Sequence, residues 1–279
     1  MSNCPLPNFF IVGAPKAGTT SLYHYLDQHP EIFMSPVKEP NYFASEIRLD
    51  GFIEALRERT RQDMEEMQKY LAGPMVEKRF GAVGLEWVDY LKLFRNARRE
   101  KAIGEASVCY LWSQSAAGNI FARIPEAKII MILRDPRERA FSQYRQWAVK
   151  GKMRDTFLET CKKSIANAGG KFQAMSPFLE MGLYADQVKR YIELFSRENI
   201  RIVFYEDYLG DPAETMADTL RFLGVEASFQ PDMSQRHMAG SGAGCVMNDG
   251  ERAHLTSYYA EDVRKLSQIL DFDLSHWER

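Results

Sequence analysis

The sequence predicts an α/β fold: a single domain with a central, mostly parallel sheet flanked by helices and a P-loop-like phosphate-binding loop near its start. Three observations carry that expectation. Residues 9–26, FFIVGAPKAGTTSLYHYL, read as strand, glycine-rich turn and helix in succession. Residues 129–133, IIMIL, are apolar without alternation, the mark of a strand covered on both faces in a parallel sheet. A further strand at 200–205 follows a helical stripe at Tyr184, Val188, Tyr191, Ile192 and Phe195, so helix and strand alternate. With 279 residues, 45% of them hydrophobic and 27% charged, one substantial core is expected rather than two.

The opening stretch carries the most chemistry. Residues 9–12 are short and apolar and end in the β-branched pair Ile11 and Val12. Residues 13–18 are too rich in glycine for strand or helix. From Thr19 onward Leu22, Tyr25 and Leu26 recur at helical spacing. In that order the loop's N–H groups and the helix N-terminus converge on one point and favour an anion, most often phosphate or sulfate. Lys16, Ala17, Gly18, Thr19, Thr20 and Ser21 are therefore candidate ligand-binding residues. A nucleotide-triphosphate loop needs lysine directly after its second glycine, then Ser or Thr. Here Thr19 and Thr20 follow Gly18 and the lysine lies two residues earlier, which argues against a magnesium triphosphate site. The plainer alternative is an ordinary strand-to-helix turn.

Residues 31–34 are the next strand candidate. In the following loop, SPVKEPNYF, two prolines flank Lys38 and Glu39. Loops at sheet ends carry function more than their share, although a solvated surface pair is the simpler reading. Residues 46–72 show a stripe at Leu49, Phe52, Ile53 and Leu56, loosely continued by Met64, Met67, Tyr70 and Leu71, which predicts two surface helices. Phe80, Tyr90, Leu91 and Phe94 are expected to pack helically or nearly so. In residues 102–112, AIGEASVCYLW, a strand ends and Glu105 opens a short helix; Glu105 is a second candidate carboxylate, or else a cap or buried structural group. A helix at 116–124 stops at Pro125. The clearest strand, 128–134, turns at Arg134-Asp135-Pro136 into a helix carrying Arg139, Phe141, Ser142, Tyr144 and Arg145. Residues 150–177 are basic and glycine-bearing from Lys150 onward, with a helix marked by Phe157 and Leu158, and are expected to form a flexible wall of the acceptor site. Asp211-Pro212 starts a helix with Met216, Leu220 and Leu223 inward, and Gly224 ends it. Residues 236–250 read as a glycine-spaced loop beginning at Arg236. The tail is helical at Tyr258, Tyr259, Val263, Leu266 and Leu270, with Trp277 as its anchor.

Several functional classes are disfavoured. A net charge of −2 gives no general pull toward nucleic acid or membrane, and the basic residues are not interleaved with aromatics. Four dispersed cysteines form no zinc pattern and suggest reduced thiols inside a cell. The five histidines show no HExxH or paired-ligand spacing, so no metal is expected. His237, in the late loop, is the one histidine kept as a reserve candidate base. No signal-type segment or membrane-length apolar run is visible, and a cytoplasmic location is expected.

Residues 13–30, GAPKAGTTSLYHYLDQHP, resemble the first cofactor loop of sulfotransferases that use 3′-phosphoadenosine 5′-phosphosulfate (PAPS). Residues 129–145, IIMILRDPRERAFSQYR, resemble the second. The likeness in layout runs from about residue 9 to 273 and suggests a bacterial member of the heparan-sulfotransferase-like branch. It implies that the first loop holds the 5′-phosphosulfate and that Arg134 and Ser142 hold the 3′-phosphate. A guanidinium suits that role because it takes two phosphate oxygens at once. The resemblance also implies direct in-line transfer of the sulfuryl group to a hydroxyl, less readily an amine, of a carbohydrate, lipid or small molecule, with PAP as product and without a metal. Lys16 then faces the leaving oxygen. Glu39 matches the family's base and Glu105 is its rival, near the acceptor or orienting the base. The Arg-Lys-Gly-type run of the family's late loop is missing here, with Arg236 as a partial substitute. Residues 46–98 become a helical elaboration on the acceptor side. Two other readings stay open: a nucleotide-dependent kinase or phosphoryl transferase, which wants lysine after Gly18 and an acidic magnesium site, and a non-catalytic nucleotide-binding module. The oligomeric state is open.

Overall fold

Phe9, Phe10, Ile11 and Val12 are all fully buried and form β1 (Phe9–Gly13), the middle strand of a five-stranded sheet. The structure, a computed structural model, describes residues 4–52, 54–151, 154–166, 177–234 and 246–279. After β1 come α1 (Thr19–Leu26), β2 (Ile32–Met34), β3 (Val37–Lys38), α2 (Glu54–Ala72), β4 (Arg79–Phe80) and α3 (Trp87–Lys92). Then follow β5 (Ala102–Ala106), α4 (Cys109–Trp112), α5 (Ala116–Arg123), β6 (Lys128–Leu133), α6 (Pro136–Val149), α7 (Phe157–Ala166) and α8 (Tyr184–Ile192). The chain closes with β7 (Ile200–Phe204), α9 (Tyr205–Gly210), α10 (Pro212–Leu223) and α11 (Asp249–Leu270).

The main sheet has the order β2-β5-β1-β6-β7, and every pairing in it is parallel. The chain fills one side of β1 with β2 and β5 and the other with β6 and β7. Connections therefore diverge at β1, and a crevice opens beyond the carboxyl ends of the strands, where ligands bind in folds of this kind. Residues 129–133 are buried on both faces, as their lack of alternation requires. The expected α/β fold with a parallel sheet is the one observed.

Helix ends follow the capping signals. The Asp135 carboxylate accepts from Arg137 N at 2.9 Å with Pro136 in the first turn of α6, and Asp211 accepts from Glu214 N at 3.0 Å with Pro212 in the first turn of α10. Gly224 ends α10 at φ 78°, where a side chain would be strained. Trp277 is buried with its ring 5.8 Å from that of Phe204.

Three expectations need correction. Residues 46–72 hold one long helix, α2, preceded by a 3-10 turn at Leu49–Gly51, instead of two helices. Met67 and Leu71 form its buried face, while Ile53 lies outside the described residues. Phe80 is on a strand, not a helix, and pairs across to Lys38 in a separate two-stranded sheet of β3 and β4. Glu105 is inside β5 and does not open a helix. Gly104 disguised that strand: a Cβ there would lie 2.4 Å from the ring of Phe9, so close packing against β1 demands glycine.

Candidate active site

The phosphate-type loop leaves β1 at Gly13, where an added Cβ would sit 2.7 Å from Leu111 Cβ. Lys16 and Gly18 both have left-handed backbones, at φ 67° and 89°, and together turn the chain into α1. Gly18 is the N-cap residue and has no side chain to occupy the first N–H groups of the helix. A Cβ on it would come within 3.3 Å of ring carbons of Tyr205 and Tyr208, so the loop lies closely on α9. Ala17 is fully buried, and its N–H donates to Ala14 O within the loop at 3.3 Å.

Lys16, Gly18, Thr19, Thr20 and Ser21 line a cleft of about 540 Å³ that Arg134 and Ser142 also line. Two loops far apart in sequence thus meet in one space. The Arg134 guanidinium donates through Nη1 to Lys16 O at 2.9 Å and lies over the Tyr205 ring at 4.6 Å. Its own carbonyl accepts from Tyr184 Oη at 3.0 Å, and the next N–H, of Asp135, donates to Glu206 Oε1 at 3.1 Å. Burial pushes the Lys16 ammonium down to about 8, helped by repulsion from Arg134, Lys150 and Arg139. These cations repel one another, and an anion among them would relieve that repulsion.

Lys38 and Glu39 are 4% and 6% exposed, so they are not a solvated surface pair. Glu39 has a left-handed backbone at φ 63°. Its Oε1 is ion-paired with Lys38 Nζ, and its Oε2 accepts from Val108 N at 2.8 Å. Its N–H donates to Ala106 O at 2.8 Å, which fixes the loop to the end of β5. Lys38, Glu39 and Val108 all line the cleft.

Glu105 is fully buried and outside the cleft lining. It accepts from Ser107 Oγ at 2.7 Å, Tyr110 Oη at 2.7 Å and Tyr90 Oη at 3.1 Å. Burial raises its pKa to about 7 despite those three hydrogen bonds. Ser107 Oγ also accepts from Asn41 N at 3.2 Å, so it links Glu105 to the loop bearing Glu39. Arg236, and His237 with it, lies outside the described residues.

Other lining residues escaped the sequence reading. Glu138, Phe141, Arg145 and Gln146 share one wall with the expected Ser142 and Lys150, and their spacing is that of a single helical face. Projecting that face from Ser142 would have found Arg145 and Gln146. Tyr205 and Tyr208 follow directly from the carboxyl end of β7, the edge where ligands gather. Among the described residues no group of three or more His, Cys, Asp or Glu is arranged to hold a metal ion, and no helix is long and apolar enough to cross a membrane.

The sulfotransferase-domain family matches residues 6–239. Carbohydrate sulfotransferase 15 of Rattus norvegicus is 27% identical over 319 residues, covering 98% of this chain and 55% of the relative. Bifunctional heparan sulfate N-deacetylase/N-sulfotransferase 4 of Mus musculus is 26% identical over 289 residues, covering 95% of this chain and 30% of the relative. The chain thus spans about half the length, or less, of these curated relatives. The crystal structure of a sulfotransferase from Alicyclobacillus acidocaldarius superposes with a TM-score of 0.79 at 34% identity, covering 99% of this chain and 100% of that one. A family match over residues 6–239, with a solved sulfotransferase 34% identical along 99% of the chain, leaves no room for the kinase assignment: the chain belongs to the sulfotransferase family.

Proposed function

We propose that this sulfotransferase domain moves the sulfuryl group of PAPS to an acceptor hydroxyl, less readily an amine, by direct in-line transfer without a metal. One observation carries the proposal: a single cleft is lined by a helix N-terminus whose cap residue has no side chain, by the cations Lys16 and Arg134, and by the nearly buried carboxylate of Glu39. The residues present fit a doubly phosphorylated nucleotide, because the Gly18 turn, the α1 donors and Arg134 offer two anion-binding elements in one space. When bound, PAPS supplies the sulfuryl group, and PAP is the product.

In this reading Ala17 and Gly18 shape the loop, and Thr19, Thr20 and Ser21 orient the 5′ end. Arg134 and Ser142 hold the 3′-phosphate, with Arg236 a further contact. Lys16 keeps positive charge where the leaving oxygen becomes negative. Glu39 takes the acceptor proton; each carboxylate oxygen retains a lone pair beyond its present partner. Glu105 acts as a positioning residue through Ser107.

The acceptor is a carbohydrate, lipid or small molecule. The names of the carbohydrate and heparan sulfate relatives favour the first. They also support the heparan-sulfotransferase-like branch, and the Alicyclobacillus likeness supports a bacterial member. Residues 46–98 form the acceptor-side elaboration of one domain. A cytoplasmic location fits four cysteines that are widely separated in sequence and show no disulfide-framework spacing.

Calorimetry tests the donor assignment. The native protein binds PAP in preference to ATP with magnesium, and Arg134→Ala weakens PAP by about ten- to a hundredfold, the worth of a charge-assisted contact. Equal affinity of the native protein for both nucleotides would refute it.

A further inference from the structure

Two large apolar side chains among the described residues line the cleft yet stand well exposed, Phe80 at 67% and Leu209 at 42%. Leu209 belongs to α9, beside the loop that receives the phosphates. Phe80 pairs across to Lys38, the residue before Glu39. An aromatic ring left in water contributes nothing to the core, and the rest of the segment gives this one an unusually fixed seat.

Its strand is clamped to the one that leads to Glu39. Arg79 N donates to Pro36 O at 2.8 Å, Gly81 N to Lys38 O at 2.7 Å and Ala82 N to Glu39 O at 2.9 Å. Gly81, at φ 84°, makes the turn that carries the chain from the ring to the carbonyl of Glu39. The Lys38 ammonium lies 5.2 Å from the centroid of the Phe80 ring and is itself paired with the Glu39 carboxylate. Ring, ammonium and carboxylate are therefore contiguous and held by one set of backbone bonds.

We propose that Phe80 is the platform on which the acceptor rests, and that the acceptor presents its hydroxyl from a six-membered ring, a pyranose or a phenol. This rests on the reading of Glu39 as the base. A flat ring covers the exposed part of Phe80 with C–H or π contacts, and a hydroxyl on its rim then lies toward Lys38 and Glu39. An acyclic alcohol gains nothing from the platform. Phe80 thus selects the acceptor's shape, while Glu39 acts on its proton.

The test uses three probes, methyl β-glucopyranoside, phenol and 1-propanol, titrated by saturation-transfer NMR into native protein, Phe80→Ala and Phe80→Trp, each with and without saturating PAP. At least one ring probe should bind the native protein more tightly than 1-propanol. It should lose at least about fivefold in Phe80→Ala and recover in Phe80→Trp. The ring probe that responds identifies the acceptor class. Ring probes that bind no better than 1-propanol, or that bind Phe80→Ala as well as the native protein, overturn the proposal. Calorimetry of PAP on the same samples keeps the two readings apart. Failure to bind PAP would sink the donor assignment, while the titrations without PAP still read Phe80. Melting curves confirm that each variant is folded.

Discussion

Lys16 gives the proposed donor site a pH signature. Its ammonium is pushed down to about 8 by burial first and by Arg134, Lys150 and Arg139 after that. A phosphate set among these cations cancels the repulsion and returns the ammonium toward its ordinary value of 10.5. At pH 8 about half of the Lys16 side chains are neutral in the free protein and nearly all are charged in the complex, so binding takes up about half a proton. The phosphates add little to that uptake, because their second ionisation is complete well below pH 8. The sign follows: protons favour the complex, and affinity falls as pH rises. If the ordinary value is fully restored, the loss is about tenfold between pH 7 and 9. Calorimetry of PAP binding in two buffers of different ionisation enthalpy measures the uptake directly, and Lys16→Met should abolish both the uptake and the slope. An affinity that is flat from pH 7 to 9, with no proton uptake at pH 8, would refute the argument that Lys16 faces the bound phosphate.

Three further outcomes are expected. Glu39→Gln keeps the shape and removes the basic charge; once an acceptor is found, turnover at saturating concentration should fall by about 10²- to 10⁴-fold while PAP affinity holds. Glu105→Gln should reduce turnover much less. Its folded pKa of about 7 lies above the ordinary 4.5, so native stability should decline as pH rises from about 4.5 to 7. Melting curves across that range should show the decline in the native protein and a flatter profile in Glu105→Gln. Gly104→Ala would push a Cβ onto the Phe9 ring at 2.4 Å and should cost about 1–3 kcal/mol in urea unfolding, whereas a melting midpoint equal to the native one would mean that β1 and β5 separate easily.

The sequence made the sheet's middle legible because β1 and β6 are buried on both faces and leave unbroken apolar runs. Asp135-Pro136, Asp211-Pro212 and Gly224 marked helix ends because capping is local chemistry, readable without knowing the fold. Strand β5 was misread for the opposite reason. Gly104 answers to the ring of Phe9, which is distant in sequence, and no local pattern announces that. Strands β3 and β4 have only two residues each, too few to show a period, so the partnership of Phe80 with Lys38 was invisible. The cleft shows the same division. Its loop residues form a contiguous motif, but Arg145 and Gln146 join it only because α6 turns one face inward. Glu39 and Glu105 look alike as carboxylates beside small loops. Both are buried, and their surroundings distinguish them, since one lines the cleft and the other is sealed under three hydroxyls.

The hydrogen bond from Arg134 to the carbonyl of Lys16 has a kinetic consequence. It joins the two phosphate-type elements directly, protein group to protein group, across 118 residues of chain. A bisphosphate therefore meets a seat already assembled and need not draw two loops together, so ordering adds little to the barrier for capture. The association rate should then be governed by diffusion and by the field of Lys16, Arg134 and Lys150, and so should fall steeply with ionic strength. Discrimination between nucleotides is left to the rate at which they depart.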